Sequence, residues 1–209
     1  MCYTLIWVAP QKFIIAFVPL REVEGRKLFL LSQNKNKEDN MKTQSFNEIE
    51  NLTKEYSMIP ICKEIYADVI TPIQLLRKME AFDKNFFLLE SVEGGEKWAR
   101  YSFLGYEPVL HITCKNGKVT QKSGEIEHTV TVDPMDALRQ LLHKYKSPKI
   151  EGMPTFTGGF VGDFGYEMIG YAEPKLNIKD SEFDDYNLML FDKVIVYDHL
   201  KQKIMVIAN

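Results

Sequence analysis

Asn116-Gly117 sits between two short runs, residues 109–114 and 118–121, that are rich in branched and aliphatic side chains. Both members of the pair tolerate positive φ, so the dipeptide predicts a two-residue hairpin turn, and such a turn lets the flanking runs pair only antiparallel. Runs of the same character at residues 86–90, 101–104 and 125–132 extend the hairpin into a meander. Later in the chain, residues 155–161 and the long run LMLFDKVIVY at 188–197 read as strands. Residues 203–207 are placed against that long run across a hairpin around His199 and Lys201.

Helix signals fall among these strands. Ser45-Phe46-Asn47-Glu48 has capping-box spacing, in which a hydroxyl and a carboxylate satisfy free amides of a first turn, and it opens a short helix near 46–55. Thr71-Pro72-Ile73-Gln74 predicts a helix over 72–81, with Leu75, Leu76 and Met79 as its apolar stripe. Asp133-Pro134 repeats that logic, and Met135, Leu138, Leu141, Leu142 and Tyr145 follow at helical spacing until Pro148. Helices inserted among mostly antiparallel strands define an α+β protein.

With 209 residues, 45% of them hydrophobic and 26% charged, the chain is long enough for one large domain or two small ones around a real core. A net charge of -3, with no lysine and arginine cluster interleaved with aromatics, makes nucleic acid an unsuitable partner. Three widely spaced cysteines, Cys2, Cys62 and Cys114, fit neither a disulfide framework nor a metal knuckle, and a reducing cytoplasm is the simplest setting. The apolar start is interrupted by Pro10, Gln11 and Lys12 and lacks a basic segment before it, so neither a membrane span nor a secretory signal is expected.

Residues 1–40 differ from the remainder. A short apolar stretch leads into the polar run LSQNKNKEDN just before Met41, and that run has no apolar period. Lys37-Glu38-Asp39 can be encoded by a purine-rich stretch of the kind that loads ribosomes ahead of a start codon. Residues 1–40 are therefore expected to be a disordered or mistranslated leader, with Met41 as initiator and 41–209 as the domain; a genuine flexible extension is the alternative.

The chemistry-bearing residues are sparse. His111, His128, His143 and His199 are scattered with no metal-ligand spacing, and no nucleophile elbow or phosphate-binding loop occurs. The glycines of TFTGGFVGDFGYEMIGYAEP alternate with aromatic residues, which predicts backbone lying close to a neighbouring element where a Cβ would clash. Asp163, Glu167, Asp184 and Asp185 read as solvated loop acids, and no metal site is expected of them. At the end of the 86–90 strand, Glu90 offers a carboxylate for an ammonium group and Ser91 a compact hydroxyl, while Arg100 offers a fork suited to a carboxylate. Together they suit a zwitterionic amino acid; a modest surface ion pair is the other reading.

LLES at 88–91, EKWARYSFLGYEP at 96–108 and GGFVGDFGYEMIGYAEP at 158–174 together resemble the N-terminal region of anthranilate synthase component I, over nearly all of residues 50–209. The resemblance implies two orthogonally packed sheets with helices outside, an α/β/β/α arrangement. It implies that Glu90 and Ser91 contact L-tryptophan as a feedback effector, with Arg100 as a basic partner and Leu88 as a wall of the indole slot.

The family converts chorismate and ammonia to anthranilate and pyruvate. The ammonia comes from a glutamine amidotransferase component II, and Mg2+ is held in a C-terminal chorismate-binding domain. The chain ends at Asn209, where that domain is expected to be missing. No catalytic residue, metal ligand or cofactor is therefore assigned within it, and apolar strand surface around residues 188–197 is expected to be exposed. The corresponding part of aminodeoxychorismate synthase component I and a free-standing amino-acid-binding regulatory module are the alternatives.

Overall fold

The computed structural model of the chain describes residues 5–8, 11–14, 41–42, 46–90, 100–176, 178 and 182–209, with side chains described from residue 48 onward. In chain order the elements are β1 (Leu5–Val8), β2 (Gln11–Ile14), β3 (Met41–Lys42), α1 (Phe46–Leu52), β4 (Ile61–Tyr66), α2 (Pro72–Met79), β5 (Phe86–Glu90) and β6 (Tyr101–Tyr106). There follow β7 (Leu110–Lys115), β8 (Lys118–Ser123), β9 (Ile126–Thr131), α3 (Pro134–Lys144), β10 (Gly159–Phe164), a 3-10 turn (Tyr166–Met168), α4 (Ile169–Ala172), β11 (Tyr186–Phe191), β12 (Lys193–Asp198) and β13 (Lys203–Ala208). Of the segment expected to be a leader, β1 and β2 pair as an antiparallel hairpin, and its other residues lie outside those described.

The remaining strands form two antiparallel sheets, one ordered β10-β11-β7-β8-β9 and the other β3-β4-β13-β12-β6-β5. The expected turn is present: Asn116 and Gly117 have φ of 51° and 73° between β7 and β8. The run at 188–197 is not one strand. Asp192 divides it, so that β11 belongs to the first sheet and β12 to the second. Because both strands are interior to their sheets, Leu188, Leu190, Phe191, Val194 and Val196 are buried, and the expected exposed apolar surface is absent there. Strand β4 was not legible, since Lys63 and Glu64 interrupt its apolar pattern.

Two strand pairs cross from one sheet to the other at a common corner. β7 pairs with β11 in the first sheet, and their continuations β6 and β12 pair in the second. From Gly105 to Leu110 the chain takes five steps while its partner takes four from Leu190 to Val194, so one extra residue is accommodated as a bulge. Glu107, with φ of 51°, lies within it. A bent, bulged ribbon is how two orthogonally packed sheets share strands.

Three apolar clusters define the layers. Phe87, Leu89, Phe103, Val194 and Val196 meet Val161 and Phe191 between the sheets. Ala137 and Leu141 of α3 cover the far face of the first sheet over Ile112, Leu188 and Leu190. Leu75 of α2 packs with Tyr197 and Ile204 on the far face of the second. The order is therefore helix, sheet, sheet, helix, as the resemblance implied.

Helix α2 begins with a full capping box: the Gln74 amide donates to Thr71 Oγ1 at 3.3 Å, and the Thr71 amide donates to Gln74 Oε1 at 2.9 Å. Thr71→Ala is expected to cost about 1 kcal/mol, read as a lower urea midpoint with unchanged slope. An unchanged midpoint would remove the cap from the account of this helix.

Of the glycines held by close approach, two have the shortest contacts. At Gly105 a Cβ would meet the Phe87 ring at 2.2 Å, and at Gly162 it would meet the Asn187 carbonyl oxygen at 2.0 Å. The second bears out the packing role expected of the glycine-rich run.

Candidate functional site

Strands β5 and β6 are neighbours in the second sheet, and residues 91–99 connect them. Ser91, one of the expected contacts, lies outside the described residues. The two flanks of that segment, Glu90 and Arg100, are both tied to the end of β12, about a hundred residues further along the chain.

On the Arg100 flank, the guanidinium donates from Nε to Asp198 Oδ1 and Oδ2 at 3.2 Å each, and from Nη2 to Oδ2 at 2.7 Å. Asp198 is buried and also accepts the amides of Leu200 and Lys201, both at 3.0 Å. Burial opposes ionisation of this carboxyl, yet the Arg100 hydrogen bond and the two amides outweigh it and hold Asp198 below the usual carboxylate range. The same bond raises the Arg100 pKa above its ordinary value. The Arg100 carbonyl accepts the His199 amide at 2.8 Å, and its guanidinium stacks 4.8 Å from the Tyr101 ring centre. Arg100 is thus oriented by Asp198.

On the Glu90 flank, register places Ser102 directly opposite Glu90 on β6. Ser102 is fully buried; its hydroxyl donates to Glu90 Oε1 at 3.0 Å and lies 2.7 Å from His199 Nε2. The His199 ring packs against Tyr197 at 4.7 Å between centres. Leu88, half-buried, falls on the same face as Glu90 by strand alternation, opposite the buried Leu104. Glu90 and Leu88 are therefore brought together on the face that α2 covers, while Arg100 stands at the start of β6 with its fork engaged.

Sequence reading did not find Ser102, Asp198 or His199. Ser102 lies inside one of the resembling blocks, but its contacts with His199 span 97 positions, and only the strand pairing reveals them.

Of the acids read as solvated loop residues, Asp163 lies within β10, where burial raises its pKa, and Asp185 is not solvated either. Asp185 is buried, accepts the Tyr171 hydroxyl at 2.7 Å and lies 3.5 Å from Cys114 Sγ. Burial first, then the Asp185 charge, push the Cys114 thiol up to about 12, so it remains a protonated donor to the carboxylate. Among the described residues no group of three or more His, Cys, Asp or Glu side chains is arranged to hold a metal ion. No helix among the described residues is long and apolar enough to cross a membrane.

Two antiparallel sheets sharing a bent ribbon, covered on each side by a helix, with a polar clamp at one strand end, define an α+β domain. Comparison with known proteins places it further. The chain is 39% identical over 168 residues to anthranilate synthase component 1 of Acetivibrio thermocellus, the match taking in 79% of this chain and 34% of the relative. It is 35% identical over 166 residues to the protein of the same name from Acinetobacter calcoaceticus, over 75% of this chain and 33% of the relative. The crystal structure of anthranilate synthase component I from Streptococcus pneumoniae TIGR4 matches with 30% identity and a TM-score of 0.45, over 69% of this chain and 31% of that one. No family model matches the chain. The resemblance to anthranilate synthase component I is therefore shown over about three quarters of this chain, which spans about a third of the length of these relatives.

Proposed function

We propose that this chain is the N-terminal, tryptophan-sensing portion of a cytoplasmic anthranilate synthase component I. The complete enzyme converts chorismate and glutamine-derived ammonia to anthranilate and pyruvate, a lyase reaction that opens tryptophan biosynthesis. In that enzyme a C-terminal chorismate-binding domain carries Mg2+ and the chemistry, and a glutamine amidotransferase component II supplies ammonia. The portion described here contributes feedback control.

The observation that carries the reading is the 39% identity to the Acetivibrio thermocellus relative over 168 residues, together with Glu90 standing at the end of β5 as the LLES resemblance requires. Glu90 meets the effector ammonium, Ser91 adds a hydroxyl contact, and Leu88 forms a wall of the indole slot. A guanidinium has five N–H donors, so Arg100 faces the effector carboxylate with those that Asp198 leaves. Both relatives named above are anthranilate synthases, and neither supports the aminodeoxychorismate alternative.

Thermal unfolding with added ligand tests this. L-Tryptophan at a hundredfold excess over its dissociation constant stabilises the native form by about 2.7 kcal/mol, which raises Tm by several degrees. D-Tryptophan at the same concentration should not, and Ser91→Phe should abolish the effect. Equal shifts with both enantiomers, or none with either, would count against the assignment.

A further inference from the structure

We infer that Ser102 and His199 are positioning residues for Glu90, setting the direction in which its carboxylate meets the effector ammonium; the inference rests on the tryptophan-sensing reading. Proton accounting carries it. Ser102 has one hydroxyl proton, and a carboxylate only accepts, so the 3.0 Å bond to Glu90 Oε1 consumes that proton. The 2.7 Å contact with His199 Nε2 is then a hydrogen bond only if Nε2 bears hydrogen and donates to the serine oxygen. The chain of donors runs one way, from imidazole through hydroxyl to carboxylate.

Every member is held from outside the segment 91–99. Ser102 is fully buried in the middle of three strands, opposite Glu90 on one side and Tyr197 on the other. The His199 backbone is tied to the Arg100 carbonyl and its ring lies against Tyr197. One Glu90 oxygen is thereby committed, which orients the carboxylate in advance. A ligand ammonium meets a preset acceptor rather than a side chain with free rotamers, and loses less on binding.

Calorimetric titration of the full chain with two ligands tests the relay: L-tryptophan, which has the ammonium group, and indole-3-propionate, which lacks it. Ser102→Ala should weaken L-tryptophan binding about tenfold, the scale of a hydrogen bond to a charged group, and leave indole-3-propionate within about twofold. His199→Phe should behave alike, and His199→Gln, whose amide also donates, should restore binding. Equal losses for both ligands, or no loss, would overturn the inference.

The imidazole nitrogen chemical shifts supply a ligand-free reading. His199 should carry hydrogen on Nε2, and an Nδ1–H tautomer overturns the relay whatever tryptophan does. If wild-type protein shows the Nε2–H form and binds no tryptophan, the sensing reading falls and the effector role of the relay falls with it, whereas the failures above leave the sensing reading standing.

Discussion

Gly162→Val is expected to destabilise the fold by about 3 kcal/mol or more. The position where its first side-chain carbon would sit lies 2.0 Å from the Asn187 carbonyl oxygen and 2.8 Å from Leu188 Cα, so the obstruction is backbone and not a side chain free to swing aside. Relief requires β10 to separate from β11 along the register that pairs Gly162 with Leu188. That separation opens the apolar clusters on both faces of β11, since Leu188 and Leu190 serve one and Phe191 the other. Overpacking of ordinary cores costs about 1–3 kcal/mol, and a clash with main chain belongs at or above the top of that range. Circular dichroism and urea unfolding of Gly162→Val and Gly162→Ala should show a graded loss, smaller in the alanine variant. Wild-type stability in the valine variant would mean that the two strands do not pair this closely.

Arg100→Ala is expected to lower stability at pH 7 by about 3 kcal/mol, the lower end for breaking a buried ion pair, because Arg100 keeps partial contact with water while Asp198 does not. The pH dependence follows from the direction of the Asp198 shift. Its carboxyl is held below the ordinary value in the folded protein, so the stabilisation is present above the unfolded carboxylate pKa, about 3.9, and is lost as pH falls through the lower folded value. The gap between wild type and Arg100→Ala should therefore be full at pH 7 and shrink below pH of about 4. Denaturant titrations at pH 7 and in that acid range measure it, and a double-mutant cycle with Asp198→Ala isolates the pair. A gap that is small at pH 7, or equally large in acid, would show that the bond does not support the fold in this way.

Much of the local structure was legible because its causes are local. Thr71 caps α2 as its spacing to Gln74 requires, and Asn116-Gly117 turns where its φ preferences allow. The glycine-rich run carried its packing role on its face. What failed depends on partners distant in sequence. Asp192 looks like one polar residue inside a long strand, and only the exchange of partners, β7 before it and β6 after it, shows that two sheets meet there. Asp185 resembles a loop acid until Tyr171 and Cys114 close over it. Of the candidate site, Glu90, Leu88 and Arg100 were nameable from chemistry and resemblance. The residues that aim two of them, Ser102 and Asp198, have no local signature, since a serine or an aspartate at a strand end is ordinary until its opposite number is known.

The β12 terminus grips both flanks of residues 91–99, through Asp198 to Arg100 and through His199 and Ser102 to Glu90, and β5 pairs with β6 from Glu90 opposite Ser102 onward. Lengthening such a connector costs only in proportion to the logarithm of its length. A change in the length of this connector is consequently expected to leave the pairing of β5 with β6 in place, since both ends are anchored from β12.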